Sequence, residues 1–318
     1  MDFTTLGRTG LKVSVAGLGT GGFSRLGLAT GGTEAQAAAL IQQAIDLGVN
    51  FIDTAPVYGT EAIVGRALKS IPRQSIVLST KIKRIGTTYT QAQVIDSLDN
   101  SLRLLGTDHV DVLHLHGVLP SQYRHVQDDI IPALLEQKAK GKFRYLGVTE
   151  QATEDYRHET MMKAAQDGVF DVVMVAFHMM HQSARRDVFP LTLKHKVGTL
   201  LMFAVRSMFA KPERVAAVMH DLAANGQVDK SLGETAEPLA FLTRDGGAAT
   251  ITEAAYRYVR HEPGVDVVMF GTGNAEHLRA NIASILKPPL RAADRERLAA
   301  LFGRLVDVGL DAHGHSRP

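Results

Sequence analysis

Eight short apolar runs, each followed by a helical stretch or a longer excursion, leave this chain few folds to choose from. The runs are Ala16–Thr20, Asn50–Thr54, Ile76–Lys81, Val110–His116, Phe143–Thr149, Phe170–Phe177, Thr199–Ala204 and Asp266–Gly271. Their centres are almost continuously apolar, as in parallel strands covered on both faces. The helical pattern occupies Glu34–Leu47, Thr60–Lys69, Gln91–Leu105, Gln127–Lys140, Glu154–Asp167, Thr252–Arg260 and Ala275–Leu286. Thr33 has the chemistry of an N-cap for the first of these and Gly48 that of a C-cap. Eight strands alternating with helices over roughly 250–320 residues predict an α/β chain folded as a (β/α)8 TIM barrel. A doubly wound sheet is the alternative, although the first strand–helix junction lacks the compact glycine fingerprint of that fold.

Two segments stand outside the alternation. "DFTTLGRTGLKVSV" reads as an N-terminal β-hairpin around Gly7–Gly10, placed to cover one barrel end. Residues 205–250 form a long insertion after the seventh strand, with a helix near Pro212–Asn225. The tail "DAHGHSRP" is expected to fray, its two histidines included. With no internal repeat beyond the alternation and no low-complexity linker, residues 1–318 are expected to form one domain.

Composition excludes several functions. A net charge of +2 without a dense Lys/Arg cluster gives no nucleic-acid footprint. The chain contains no cysteine, which removes disulfides, thiolate zinc sites and cysteine nucleophiles, and fits a reducing compartment. Runs such as "VVMVAF" and "TLLMFAV" are far too short to span a membrane, and "MDFTTLGRTG" has no secretory pattern. A cytoplasmic protein without membrane or nucleic-acid partners is expected.

In such a barrel, chemistry collects at the C-terminal ends of the strands. Those ends carry Asp53, with Tyr58 in the loop behind it, then Lys81 and His116. A phenol near its usual pKa of about 10 is a poor acid at neutral pH. A neighbouring ammonium favours the phenolate, and a carboxylate keeps that ammonium charged and in place. A histidine at the next strand end can donate to a substrate oxygen. Together the four could protonate an oxyanion as a hydride arrives, or take an alcohol proton in reverse. None of them donates hydride, so a cofactor must. Singly, each has a plainer reading: Asp53 as a turn residue, Lys81 as a solvated charge, Tyr58 as packing, and His116 as a structural histidine. Their coincidence at three successive strand ends favours the site.

The segments "GLGT", "FIDTAPVYG", "STKI", "DVLHLH", "GKFRYLGVTE" and "GTGNAEHLRAN" follow the order and spacing of the aldo-keto reductase superfamily. The chain resembles that superfamily from Phe3 to Asn281. The resemblance implies a (β/α)8 barrel and a catalytic tetrad of Asp53, Tyr58 as general acid/base, Lys81 and His116. It also implies cofactor contacts at Gly19 and Thr20 near the nicotinamide ribose and at Phe203 against the nicotinamide ring. Thr149 and Glu150 stand where members commonly carry Ser-Asn for the carboxamide, and Met174 where they carry Gln. An ionised Glu150 accepts from an amide but cannot donate to its carbonyl. Gly271, Thr272, Gly273, His277 and Asn281 fall at the adenosine and phosphate positions, with Gly271 and His277 where many members place Lys and Arg. The family habit is NADP(H), and the missing cationic pair admits NAD(H). Arg206 faces either a cofactor phosphate, an anionic substrate or solvent. Phe23, Val57, Leu119 and Tyr123 are candidate pocket walls by position.

The expected function is therefore a nicotinamide-dependent oxidoreductase acting on a small carbonyl or alcohol: an aldehyde, ketone or sugar. The alternatives are an NAD-dependent sugar dehydrogenase working mainly in oxidation, and a cofactor-binding regulatory protein with little turnover. A metal hydrolase built on His114, His116, His178 and His181 is a further rival. Lys81 would repel a metal there, so no metal is expected and His114 reads as an inward-facing core residue.

Overall fold

The computed structural model describes residues 1–82, 89–244 and 247–310. The chain opens with an antiparallel hairpin of β1 (Phe3–Thr5) and β2 (Lys12–Ser14). A closed parallel barrel follows, made of β3 (Ala16–Gly19), β4 (Phe51–Asp53), β5 (Val77–Ile82), β6 (Val110–Val118), β7 (Phe143–Glu150), β8 (Val172–Ala176), β9 (Gly198–Met202) and β10 (Val267–Phe270), with β10 closing on β3. Every apolar run in the sequence became one of these strands, and helices cover the outside. No described helix is long and apolar enough to cross a membrane.

The barrel needs both faces of its strands apolar, because one face fills the interior and the other carries the helix layer. Inward-facing Phe51, Val77, Val112, Val172, Leu200 and Val267 pack against Leu6, Leu11 and Val13 of the hairpin. The hairpin thus plugs the end where the strands begin, leaving the opposite mouth open. The outer layer is set by local chemistry. Thr33 and Thr90 close reciprocal capping boxes with Gln36 and Gln93, starting the helices Glu34–Asp46 and Gln91–Leu105.

At the plugged end a side chain at the start of every second barrel strand ties down the chain before it. Asn50 Oδ1 accepts from Ser14 N (2.6 Å) and Asp111 Oδ2 from Leu78 N (2.9 Å). Asp171 Oδ2 accepts from Leu146 N (3.2 Å) and Asp266 Oδ2 from Thr199 N (2.9 Å). Each satisfies a backbone donor that lies before the ladder with the next barrel strand begins. Asp111 is balanced by Arg73 and Arg144, and Asp171 by Arg8 and Lys138.

Asp266 has no ion-pair partner among the described residues, and burial pushes its carboxyl up to about 6, against the pull of the Thr199 and Gly7 amides. A raised folded-state pKa means the protonated form is the favoured native form. That stabilisation is complete below about pH 4 and is lost as pH rises through 6. Asp266→Asn keeps an oxygen for the Thr199 amide and removes the charge. It should raise stability at pH 7.5 by about 1–3 kcal/mol, with solvent screening favouring the lower end, and by less at pH 5. Urea unfolding at the two pH values measures this, and equal changes at both would contradict it.

Three local expectations need adjustment. The helix expected over Glu154–Asp167 is confined to Glu159–Ala164. Asp155 accepts from the amides of Glu159 and Thr160 (2.9 Å each) and so starts it late, while His158 enters with φ +60°. The helix expected from Gln127 begins at Tyr123 and passes through a π-helical turn, Val126–Ile130, just before Pro132, which has no N–H to give. Among its described residues the insertion after β9 holds three α-helices, Arg206–Ala210, Pro212–Ala224 and Lys230–Gly233, and a 3-10 turn, Ala240–Leu242. The histidines of "DAHGHSRP" lie outside the described residues.

Candidate active site

The parallel register sets Asp53 of β4 beside Ser79 of β5, and Lys81 beside His114 of β6. Beyond β4 the chain makes a short 3-10 turn, Pro56–Tyr58, and Gly59 at φ +69° brings it back over the strand ends. The turn is pinned from below by Thr60, whose Oγ1 lies 2.8 Å from that of Thr20 and 3.1 Å from that of Thr54. Tyr58, Lys81, Asp53 and His116 therefore meet at the open mouth.

Lys81 and Asp53 form an ion pair with side chains only 1% and 5% exposed. The Lys81 ammonium also donates to the Thr54 carbonyl (3.0 Å), and Ser79 Oγ donates to Asp53 Oδ1 (2.9 Å). Burial works against the Lys81 charge, but Asp53 and Tyr58 outweigh it and hold the ammonium's pKa above its usual value. Lys81 Nζ stands 5.0 Å from the centre of the half-buried Tyr58 ring. That ring meets His116 edge-on, with centroids 5.8 Å apart and planes at 87°. Its other neighbour is Gly21, where any Cβ would lie 2.7 Å from the ring carbons. No local pattern around Gly21 marks it as the residue that makes room for the tyrosine.

One electrostatic expectation is reversed in sign. Lys81 pulls the Tyr58 pKa down, but burial is the larger effect and Asp53 adds to it, so the phenol ends above its ordinary value. Packed against Gly21 and His116, the phenol loses more hydration than one neighbouring cation returns, especially when that cation is already paired.

His116 sits on a bulge. The register between β6 and β7 shifts between Leu115 and Val118, and Gly117 adopts φ +67°. The Tyr89 hydroxyl donates to the His116 carbonyl (2.6 Å), and Gly117 N donates to Thr149 Oγ1 (2.8 Å). His114, two residues earlier, is sealed inside the barrel: neither ring nitrogen has a hydrogen-bond partner among the described residues, and Gly147 packs directly on the ring. Burial, then Lys81 and His116, hold its pKa well below the usual histidine value, so it is a neutral core residue. Among the described residues no three His, Asp or Glu side chains are grouped to hold a metal ion.

The positions expected to touch a cofactor divide into two groups. Around the mouth, Gly19, Phe203, Arg206, Gly273 and Asn281 are half-buried, while Gly271 and His277 are exposed. Phe203 and Arg206 both have left-handed backbones, φ +74° and +48°, and the guanidinium lies 4.0 Å from the ring centre. Phe203 is too bulky to adopt that conformation without cost, which marks the loop as strained. Thr272 Oγ1 accepts from Asn274 N (3.1 Å), and Asn274 caps the helix Ala275–Ile285. An aromatic face, a guanidinium, bare glycine backbone and a helix N-terminus suit the ring and the anionic linker of a dinucleotide.

The second group is turned to other work. The Thr20 hydroxyl is buried against Thr60, and Met174 lies in the barrel interior. The Glu150 carboxylate does not face the mouth as an acceptor for a carboxamide. Its Oε1 takes the Ala176 amide (2.6 Å) and its Oε2 pairs with His158 Nδ1 (2.7 Å), all fully buried. Burial opposes the His158 charge, but Glu150 prevails and raises its pKa. Alternation explains the correction, since Thr149 faces inward and its successor must face the helices. Tyr123 likewise leaves the pocket wall, with its hydroxyl on Asp167 and its ring against Phe170 (6.4 Å). Phe23, 84% exposed, and Val57, 40% exposed, remain in the loops around Tyr58.

Residues 16–302 match the sequence model of the Aldo/keto reductase family. The chain is 28% identical to an L-galactose dehydrogenase of Arabidopsis thaliana, over 97% of this chain and 95% of that protein. It is 24% identical to an aldo-keto reductase of Bacillus subtilis, over 96% and 95% of the two chains. The holo structure of an aldo-keto reductase from Bacillus halodurans superposes with a TM-score of 0.71 at 23% identity, covering 95% and 96% of the two chains.

Proposed function

Because the chain belongs to the aldo/keto reductase family, we propose that it transfers hydride between NAD(P)(H) and a small carbonyl/alcohol pair, with Tyr58 as the group that gives and takes the proton. The observation that carries this is the buried Lys81–Asp53 pair set beneath Tyr58, edge-on to His116. The nicotinamide, when bound, supplies or accepts the hydride. Everything else falls to the protein. Lys81, kept charged by Asp53, stabilises the phenolate that forms when Tyr58 releases its proton. His116 donates to the substrate oxygen and turns it toward the phenol. Phe203, Arg206, Gly271, Thr272, Gly273 and Asn281 hold the dinucleotide. With Gly271 and His277 in place of a cationic pair, the preference for a 2′-phosphate is weak and NAD(H) is accepted as well. The absence of cysteine fits a cytoplasmic setting.

A second reading, an aldose dehydrogenase running toward oxidation, is favoured by the likeness to the L-galactose dehydrogenase. The two readings share one proton site and differ in pH response. With its pKa raised, Tyr58 is a phenol at neutral pH and ready to donate. Reduction should therefore be nearly flat from pH 6 to 8. Oxidation needs the phenolate and should climb about tenfold per pH unit toward the tyrosine pKa. A screen of aldehydes, ketones and aldoses with both cofactors in both redox states, between pH 6 and 10, tests this. Oxidation independent of pH while chemistry limits the rate would remove Tyr58 from the proton step. No turnover with any pair, despite cofactor binding, would favour a regulatory protein.

A further inference from the structure

We propose that Thr149 and Tyr89 are positioning residues that fix the aim of His116 by gripping both sides of the β6 bulge. The proposal rests on the reading of His116 as the group that orients the substrate oxygen. A bulge takes a residue out of the ladder and redirects the neighbouring side chain, so something else must bond the backbone groups it frees. Here two backbone groups at the bulge, His116 O and Gly117 N, each meet one side chain. The Tyr89 hydroxyl donates to His116 O (2.6 Å), and Thr149 Oγ1 accepts from Gly117 N (2.8 Å). The two come from opposite sides, Thr149 from β7 and Tyr89 from the segment leading into the helix Gln91–Leu105.

Both grips are themselves anchored. Thr149 is 2% exposed and Tyr89 3% exposed. The Tyr89 carbonyl bonds His125 Nε2 (2.6 Å), and His125 Nδ1 bonds Asp129 (2.8 Å), which ties the segment to the helix layer behind β6. The bulge needs this support because Gly117, at φ +67°, has no side chain to lock it. The Thr149 hydroxyl therefore already has work inside the protein, and His116 depends on it.

The test uses the full-length chain with the best substrate found. Thr149→Val keeps the shape of the side chain and removes the acceptor. We expect kcat at saturating cofactor to fall about 10–10²-fold, as for a misplaced positioning group, with the cofactor Kd within about threefold. Thr149→Ser should restore kcat to within about threefold, and Tyr89→Phe should lower it in the same direction. In a His116→Ala background Thr149→Val should cost nothing further, and on its own it should shift the NMR signal of the His116 ring. Additive losses, or a tenfold weaker cofactor Kd at unchanged kcat, would overturn the proposal and make Thr149 a direct cofactor ligand. Should Thr149→Val fail to fold, Tyr89→Phe tests the same bulge from the other side, and an unshifted His116 signal there overturns it. Full turnover in His116→Ala alone would bring down the reading of the site, and the positioning role with it.

Discussion

Tyr58→Phe should lower turnover about 10²–10⁴-fold, the usual cost of losing a positioned acid or base. The substitution is conservative in every other respect. The ring keeps its fit against Gly21, its edge-on contact with His116 and its place beside Lys81. Only the hydroxyl is lost. Cofactor affinity should change little, because the groups proposed to hold the dinucleotide sit on the loops after β9 and β10 rather than on the Tyr58 turn. Turnover and a fluorescence titration with cofactor, run on both proteins with one accepted substrate, measure the two quantities separately. Near-normal turnover in Tyr58→Phe would leave the four residues as inherited architecture without chemistry.

Lys81→Met should be the most damaging substitution to the protein as a whole. It removes one half of an ion pair that is almost wholly out of water and leaves Asp53 charged, with Ser79 as its remaining side-chain donor. Breaking a buried pair in this way costs about 3–5 kcal/mol. It also removes the cation that stabilises the Tyr58 phenolate, so activity should fall by at least about 10². The two losses have different causes and can be separated. Adding Asp53→Asn eliminates the orphan charge and should recover most of the stability, since a neutral pair of similar volume is tolerated in place of a buried ion pair. It should recover none of the activity. Denaturant unfolding and turnover of the single and double variants decide this. A double variant as unstable as Lys81→Met would mean that the pair stabilises the barrel by more than cancelling its own charges.

The barrel was legible because its signals are local and repeated. Each strand announced itself by a run of apolar residues, and Thr33 and Thr90 marked helix starts within a few residues. The four residues at the mouth were legible for a similar reason, since a strand end is one position in the sequence. What was not legible depends on contacts between distant segments. The upward shift of Tyr58 comes from the water its phenol loses to neighbours drawn from distant segments. The inward turn of Thr149 and outward turn of Glu150 follow from alternation, and could have been read by counting back along β7. That Glu150 would find His158, whose left-handed backbone precedes a shortened helix, could not. Nor does "HLHG" reveal a bulge, because a glycine after a strand looks the same whether the strand ends or bends.

The ties at the plugged end have a consequence for how the barrel divides. Asn50, Asp111, Asp171 and Asp266 each join the start of a strand to the chain before it, linking the end of β2, which leads into β3, with β4, then β5 with β6, β7 with β8, and β9 with β10. At the plugged end the ring is thus tied in pairs of strands, four pairs laid side by side. A boundary inside a pair strands one of these backbone amides, whereas the seams between pairs are crossed by other side chains, Lys81 meeting Asp53 between β5 and β4 and Thr149 meeting Gly117 between β7 and β6. Seen this way the molecule has a fourfold grain that its sequence hides, with chemistry drawn from the first two pairs and the proposed dinucleotide clasp mostly from the fourth.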